Sequence, residues 1–212
     1  MVVVHRVFRR ESALAPRLVR AVPHGDTTRA AQIAAHLDDY VMGLHHHHAV
    51  EDELLWPLLH ARVADGALVE RMEEQHQRID RTLAVVAEWL PAWLREANHI
   101  AREELALALL EHRTVLLEHL DDEEQLVLPL IADHLTVAEW DLVGRRGLEA
   151  LPKNKRLLAL GAILEDATPP ERVYFLGRAP LLGRLLWRTV GRRQYAASCR
   201  ALRGKLREKA DR

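Results

Sequence analysis

Apolar residues recur every three or four positions over most of this chain, the spacing of an amphipathic helix. One such stripe carries Ile33, Leu37, Tyr40, Leu44, His47, Glu51, Leu54 and Leu58. Another carries Leu105, Leu109, His112, Leu116, His119, Glu123, Leu126 and Leu130, and a third has Met72, His76, Ile79, Leu83, Val86 and Leu90. A first helix is expected from near His5 to Val22, ending at "PHGD". The second starts after Asp26, a good N-cap, and is broken at "ADG" (64–66). "EANH" (96–99) is the weakest break, separating the third helix from the fourth. Four helices with short connections predict an all-α, up-down-up-down four-helix bundle.

Beyond His134 the pattern restarts with shorter helices. "TVAE" is a capping box at Thr136 and Glu139, and Thr168 before Pro169 is an N-cap followed by a first-turn proline. Pro152, Pro169, Pro170 and Pro180 punctuate this part. The expected organisation is a bundle over 1–134 and a helical C-terminal extension over 135–212.

Two of the stripes are interrupted in the same way. Each places a histidine four residues before a glutamate, His47/Glu51 and His119/Glu123, and a proline six residues after that glutamate, Pro57 and Pro129. His-x3-Glu-x5-Pro therefore occurs twice, offset by 72 residues, while His5 and His76 are offset by 71. Residues four apart share a helix face, so each pair can reach a common ion. With about 1.5 Å of rise per residue, helices of these lengths return His5, His47, His76 and His119 to one level of the bundle. The prolines remove the donors that the carbonyls of Glu53 and Gln125 would use, which predicts a kink just past the ligands.

Four imidazoles and two carboxylates without thiolate suit two metal ions, iron first and manganese or zinc less well. In the run "GLHHHHAVEDELLWP", the second copy of the motif acts as a ruler and selects His47 and Glu51. His48 with Asp52 has the same spacing about 100° further round the helix, as a runner-up register or a supporting pair. His45 and His46 are read as flanking residues. Tyr40 and His112 are equivalent inward positions seven residues before their ligands, about 10 Å away. They are read as hydrogen-bonded polar core residues or as the lining of a ligand channel. His36 is too far from His47 to ligate the same pair, and His24, His60, His99 and His134 are expected at the surface or at helix ends.

Composition narrows the classes. A single cysteine, Cys199, excludes a disulfide framework and a cysteine-rich metal site. No apolar run is of membrane-spanning length, and a cytoplasmic protein is expected. The net charge of −1 is unevenly spread: residues 178–212 hold 11 Lys/Arg against Glu208 and Asp211, leaving an acidic body with a basic tail. Docking of that tail on the acidic bundle, or a homodimer contact, is the favoured expectation. A membrane-surface helix is second, and specific nucleic-acid binding is disfavoured because no recognition motif accompanies the charge.

The segments "VVHRVFRRE", "HHHHAVEDELLWP", "EEQHQRID" and "EHLDDEEQLVLP" together resemble the bacterial type of the hemerythrin-like (HHE cation-binding) family over roughly residues 1–134. The resemblance implies a di-iron four-helix bundle with His5, His47, His76 and His119 as terminal ligands and Glu51 and Glu123 as bridges. Its oxygen carriers have a second histidine one turn after the third-helix ligand, where this chain has Asp80. Their last acid follows its histidine by five residues rather than four. Both departures point away from a dedicated oxygen carrier, and they leave one iron short of nitrogen ligands, with room for Asp80, Glu73 or solvent. The family's iron–sulfur repair members have a cysteine-bearing N-terminal segment that is not found here. The resemblance implies reaction with O2, H2O2 or NO, with peroxide decomposition favoured. Iron storage without turnover, or a helical scaffold or membrane-surface adaptor with a structural metal, are the alternatives.

Overall fold

The computed structural model describes residues 1–64 and 66–210, so Asp65 of the predicted "ADG" break and Asp211 and Arg212 of the basic tail lie outside it. The side chains from Lys205 onward are likewise outside the description. All described elements are helical: α1 (Val2–Arg20), α2 (Thr27–Val50), a π turn (Glu51–Leu55), α3 (Trp56–His60), α4 (Ala67–Glu96), α5 (His99–Asp122), a second π turn (Glu123–Val127) and α6 (Leu128–His134). The C-terminal elements are α7 (Val137–Ala150), α8 (Arg156–Asp166), α9 (Pro169–Arg178), α10 (Leu181–Leu186), a third π turn (Trp187–Gly191) and α11 (Arg192–Ala210). None is long and apolar enough to cross a membrane.

The starts and stops follow side-chain chemistry. Asp26 accepts the Arg29 N–H at 2.9 Å and Asn98 accepts that of Ala101 at 2.9 Å, each satisfying a donor that has no intrahelical partner. Between α4 and α5 the chain turns on Ala97, in the left-handed region at φ +46°, directly before the Asn98 cap. Thr136/Glu139 and Thr168/Glu171 both close as capping boxes. Arg62 also engages Glu139 and, with the Thr136 bonds, holds its carboxyl down at about 2.

The chain falls into two compact units. One comprises residues 11–151, the other residues 1–10 together with 152–212. In the first, a four-helix bundle is built from α1 (from Glu11), α2 with α3, α4, and α5 with α6. Leu44, Leu55, Trp56, Met72, Ile79, Leu105 and Leu116 are fully buried in it. In the second unit α8 packs on α11. A Cβ on Gly161 would overlap the Tyr195 ring, so only glycine allows that approach. Arg6 grips Glu171 through two bonds of 2.9 and 2.8 Å, and Arg10 pairs with Asp166 and, at 3.2 Å, with Glu165.

The π turns correct the predicted inward stripe. Each adds one residue to a turn, seen in Trp56 N–H bonding Glu51 C=O and Leu128 N–H bonding Glu123 C=O, five residues back. Beyond them the buried positions are Leu55, Leu59, Val127 and Ile131, not the expected Leu54, Leu58, Leu126 and Leu130; Leu126 is 42 % exposed. The helix widens at the glutamates themselves rather than past them. Proline alone does not cause this. Pro16 and Pro91 sit inside α1 and α4 without a π turn, and the third π turn has no proline after it. Pro57 and Pro129 lower the cost of the wider turn by withholding a donor, and something further at the glutamates selects it.

Candidate metal centre

Within the bundle, the end of α2 and its π turn, the middle of α4, and the end of α5 with its π turn bring their polar residues together. Ligand atoms of His48, Glu51, His76 and His119 all lie within 4.8 Å of one another, and all four residues are buried. The ligand atoms of His47, Glu51 and Glu123 meet the same limit, so Glu51 is common to both sets. His47 Nε2 is 3.1 Å from Glu51 Oε1, His76 Nε2 is 3.5 Å from Glu51 Oε2, and His119 Nε2 is 3.9 Å from Glu123 Oε2. The His48 ring stacks on His76 at 4.0 Å, and His76 meets His119 edge-on at 4.7 Å. His5 is fully buried on the part of α1 assigned to the other unit.

His48, the runner-up register or supporting residue of the sequence reading, stands in the first ligand set. Its spacing of three from Glu51 puts it on the same face as Glu51, as four does for His47. It is the more deeply buried of the two histidines. It supplies a nitrogen next to His76 and His119, where the family resemblance suggested Asp80, Glu73 or solvent. Those two acids are elsewhere: Asp80 is exposed and 3.3 Å from His45, and Glu73 faces His60 at 3.8 Å on the surface.

A second layer fixes which nitrogen of each ring faces inward. Asp52 lies 2.8 Å from His76 Nδ1; a carboxylate only accepts, so Nδ1 carries the proton and Nε2 keeps its lone pair. His119 Nδ1 lies 3.2 Å from Gln75 Oε1. The Gln75 amide has a single sensible orientation, since its Nε2 donates to Asp122 Oδ2 at 2.7 Å and Asp122 is itself held by Arg71. His119 therefore donates through Nδ1 and also presents Nε2. Gln75 and Asp122 escape sequence reading, because a polar residue one position before a ligand gives no periodic signal.

Tyr40 and His112 are each other's partners across the bundle. Thr82 Oγ1 donates to the Ile79 carbonyl and so accepts from His112 Nδ1 at 3.1 Å. That leaves His112 Nε2 to accept from the Tyr40 hydroxyl at 2.7 Å. Burial pulls the imidazole down to about 4, with His45 adding to the effect, and burial next to Glu11 pushes the Tyr40 phenol well up. Among the remaining histidines, His36 pairs with Glu11 at 2.9 Å, His24 stacks on His99 at 4.8 Å, and His60 and His99 are exposed.

The donor set fits metal ions. Both oxygens of Glu51, both ring nitrogens of His48 and Nε2 of His76 are buried with no hydrogen-bond partner among the described residues. Each such atom costs about 1–3 kcal/mol unless something satisfies it. Burial, reinforced by Glu123, pushes the Glu51 carboxyl well above the carboxylate range, because two buried acids cannot both ionise without a cation. Burial, and then the neighbouring imidazoles led by His76, push His48 well below its ordinary value, so it is the neutral ring a metal requires. Nitrogen and oxygen donors without thiolate suit iron, manganese or zinc.

Residues 1–131 match the Hemerythrin HHE cation binding domain when the chain is compared with known families. Comparison with curated proteins and with solved structures returns no match.

Proposed function

Since the chain belongs to the hemerythrin HHE cation-binding family, we propose that it is a non-haem di-iron protein that reacts with O2, H2O2 or NO, and that it decomposes peroxide. The observation that carries this reading is Glu51, buried, shared by both ligand sets and without a hydrogen-bond partner on either oxygen. Glu51, within reach of both ligand sets, and Glu123 would supply the carboxylate ligands in this proposal. His48, His76 and His119 would hold one ion. His47 would hold the other, and the family match and the offset of 71 residues from His76 put His5 forward as a further nitrogen ligand. Two adjacent irons would supply two-electron chemistry towards a small oxidant.

The chain's own residues position and protect that chemistry. Asp52 and Gln75 keep His76 and His119 in the tautomer that offers Nε2. The Trp56 ring, fully buried 5.9 Å from the His76 ring, keeps water from that side. Metal analysis coupled to an optical titration with peroxide tests the proposal. Two irons per chain with catalytic O2 release from H2O2 are expected. A stable oxygenated or nitrosyl spectrum without turnover would replace catalysis by binding or sensing. Metal that exchanges freely with chelators and gives no spectral response would replace it by storage. Full function in a His119→Ala/Glu123→Ala variant would sink every metal-centred reading.

A further inference from the structure

The C-terminal unit leaves several large apolar side chains uncovered. Leu181 is 78 % exposed, Leu182 67 % and Leu185 57 %, and Leu186 and Val190 are also open. At about 100° per residue, Leu181, Leu185, Leu182 and Leu186 occupy one arc of about 140° on α10, with Arg184 beside its edge. The buried Trp187 points the other way, into the unit. The stripe is therefore a face the unit presents outward, not a loosened piece of core. Val173 and Tyr174 of α9 are exposed as well, with Arg178 5.3 Å over the Tyr174 ring.

The charge around this face identifies what can cover it. From Arg172 to Arg207 the sequence holds ten Lys/Arg and no Asp or Glu. Arg188, Arg192 and Arg193 are exposed, whereas Glu165 is engaged by Arg203 and Tyr195, and Glu171 by Arg6. A second copy of the chain would set the same cations against each other. A nucleic acid would use the arginines and leave the leucines in water. An anionic lipid surface accommodates both, with leucines entering the acyl boundary and guanidiniums resting on the headgroups.

We propose that α10, its following π turn and the start of α11 form a surface-binding element for anionic membranes. It lies in the interface, since no described helix can span a bilayer. This reading does not depend on the identity of the metal. The test is co-sedimentation of the full chain with vesicles of phosphatidylcholine, with and without phosphatidylglycerol. Binding only to the anionic vesicles, lost at high salt, is expected. The surface variant Leu181→Glu/Leu185→Glu should weaken it about tenfold or more with unchanged thermal unfolding and metal content, because neither leucine is part of a core. Arg188→Glu/Arg193→Glu should weaken it similarly. Equal binding to neutral vesicles, undiminished binding by both variants, or a solution dimer that the leucine variant dissociates would each overturn the proposal.

Discussion

His48 shows what an internal repeat can and cannot reveal. The two copies of His-x3-Glu-x5-Pro make His47, Glu51, His119 and Glu123 legible because each residue vouches for its partner 72 positions away. The counterpart of His48 is Leu120, so the repeat is silent about it, although its spacing to Glu51 is equally good. If His48 is a ligand, His48→Leu should restore the symmetry at the expense of one ion: metal analysis would find one iron per chain where the wild type has two. Gln75→Leu, which frees the His119 ring to change tautomer, should weaken metal affinity about 10–100-fold without emptying the site. Tyr40 and His112 do share the repeat, and their pairing at 2.7 Å makes a separate prediction. The unfolded His112 takes up a proton below about 6.5, whereas the native one declines it until about 4. The stability it contributes is thus complete above pH 6.5 and is lost as pH falls to 4, roughly 3 kcal/mol at most. Unfolding midpoints between pH 7 and 4.5 should fall less steeply in His112→Gln than in the wild type. A parallel fall would assign the acid sensitivity to other groups.

At the scale of elements, helix existence and capping were written in the sequence, and phase was not. Asp26, Thr136 and Thr168 cap helices where their side chains predict, because capping is decided by a few neighbouring atoms. The π turns are another matter. Leu54 and Leu55, Leu58 and Leu59, Leu126 and Val127, Leu130 and Ile131 are adjacent apolar pairs, so either member could continue the stripe. Only the extra residue in the turn decides between them, and no local propensity announces it. The shifted phase is measurable by paired truncations. Leu55→Ala, at a fully buried position, should cost about 2–5 kcal/mol in denaturant unfolding. Leu126→Ala, the position predicted inward and found exposed, should cost less than about 1 kcal/mol. Comparable losses at both sites would mean that the helices run through Glu51 and Glu123 without the wider turn.

For the whole molecule, the centre is a burden that metal converts into a support. A bundle that buries Glu51 and Glu123 together leaves both oxygens of Glu51 and both ring nitrogens of His48 without a hydrogen-bond partner among the described residues. With Glu51 raised well above its unfolded value, the metal-free protein keeps a proton that the unfolded chain would release. Its contribution is favourable below about 4.5 and is lost as pH rises towards neutrality, opposite in sign to that of His112. A cation displaces that proton, so loading metal-free protein at pH 7 should acidify a weakly buffered solution, and apparent affinity should rise with pH. Binding to the native state alone stabilises it by about 4 kcal/mol at a thousandfold excess over Kd, which for a chain of this size is about 10 °C. Calorimetry of chelator-treated and reloaded protein, with an indicator dye following the proton, measures both. A melting point unmoved by iron, manganese and zinc alike, with no proton released, would mean that the buried acids are satisfied within the fold and that the two ligand sets bind no metal.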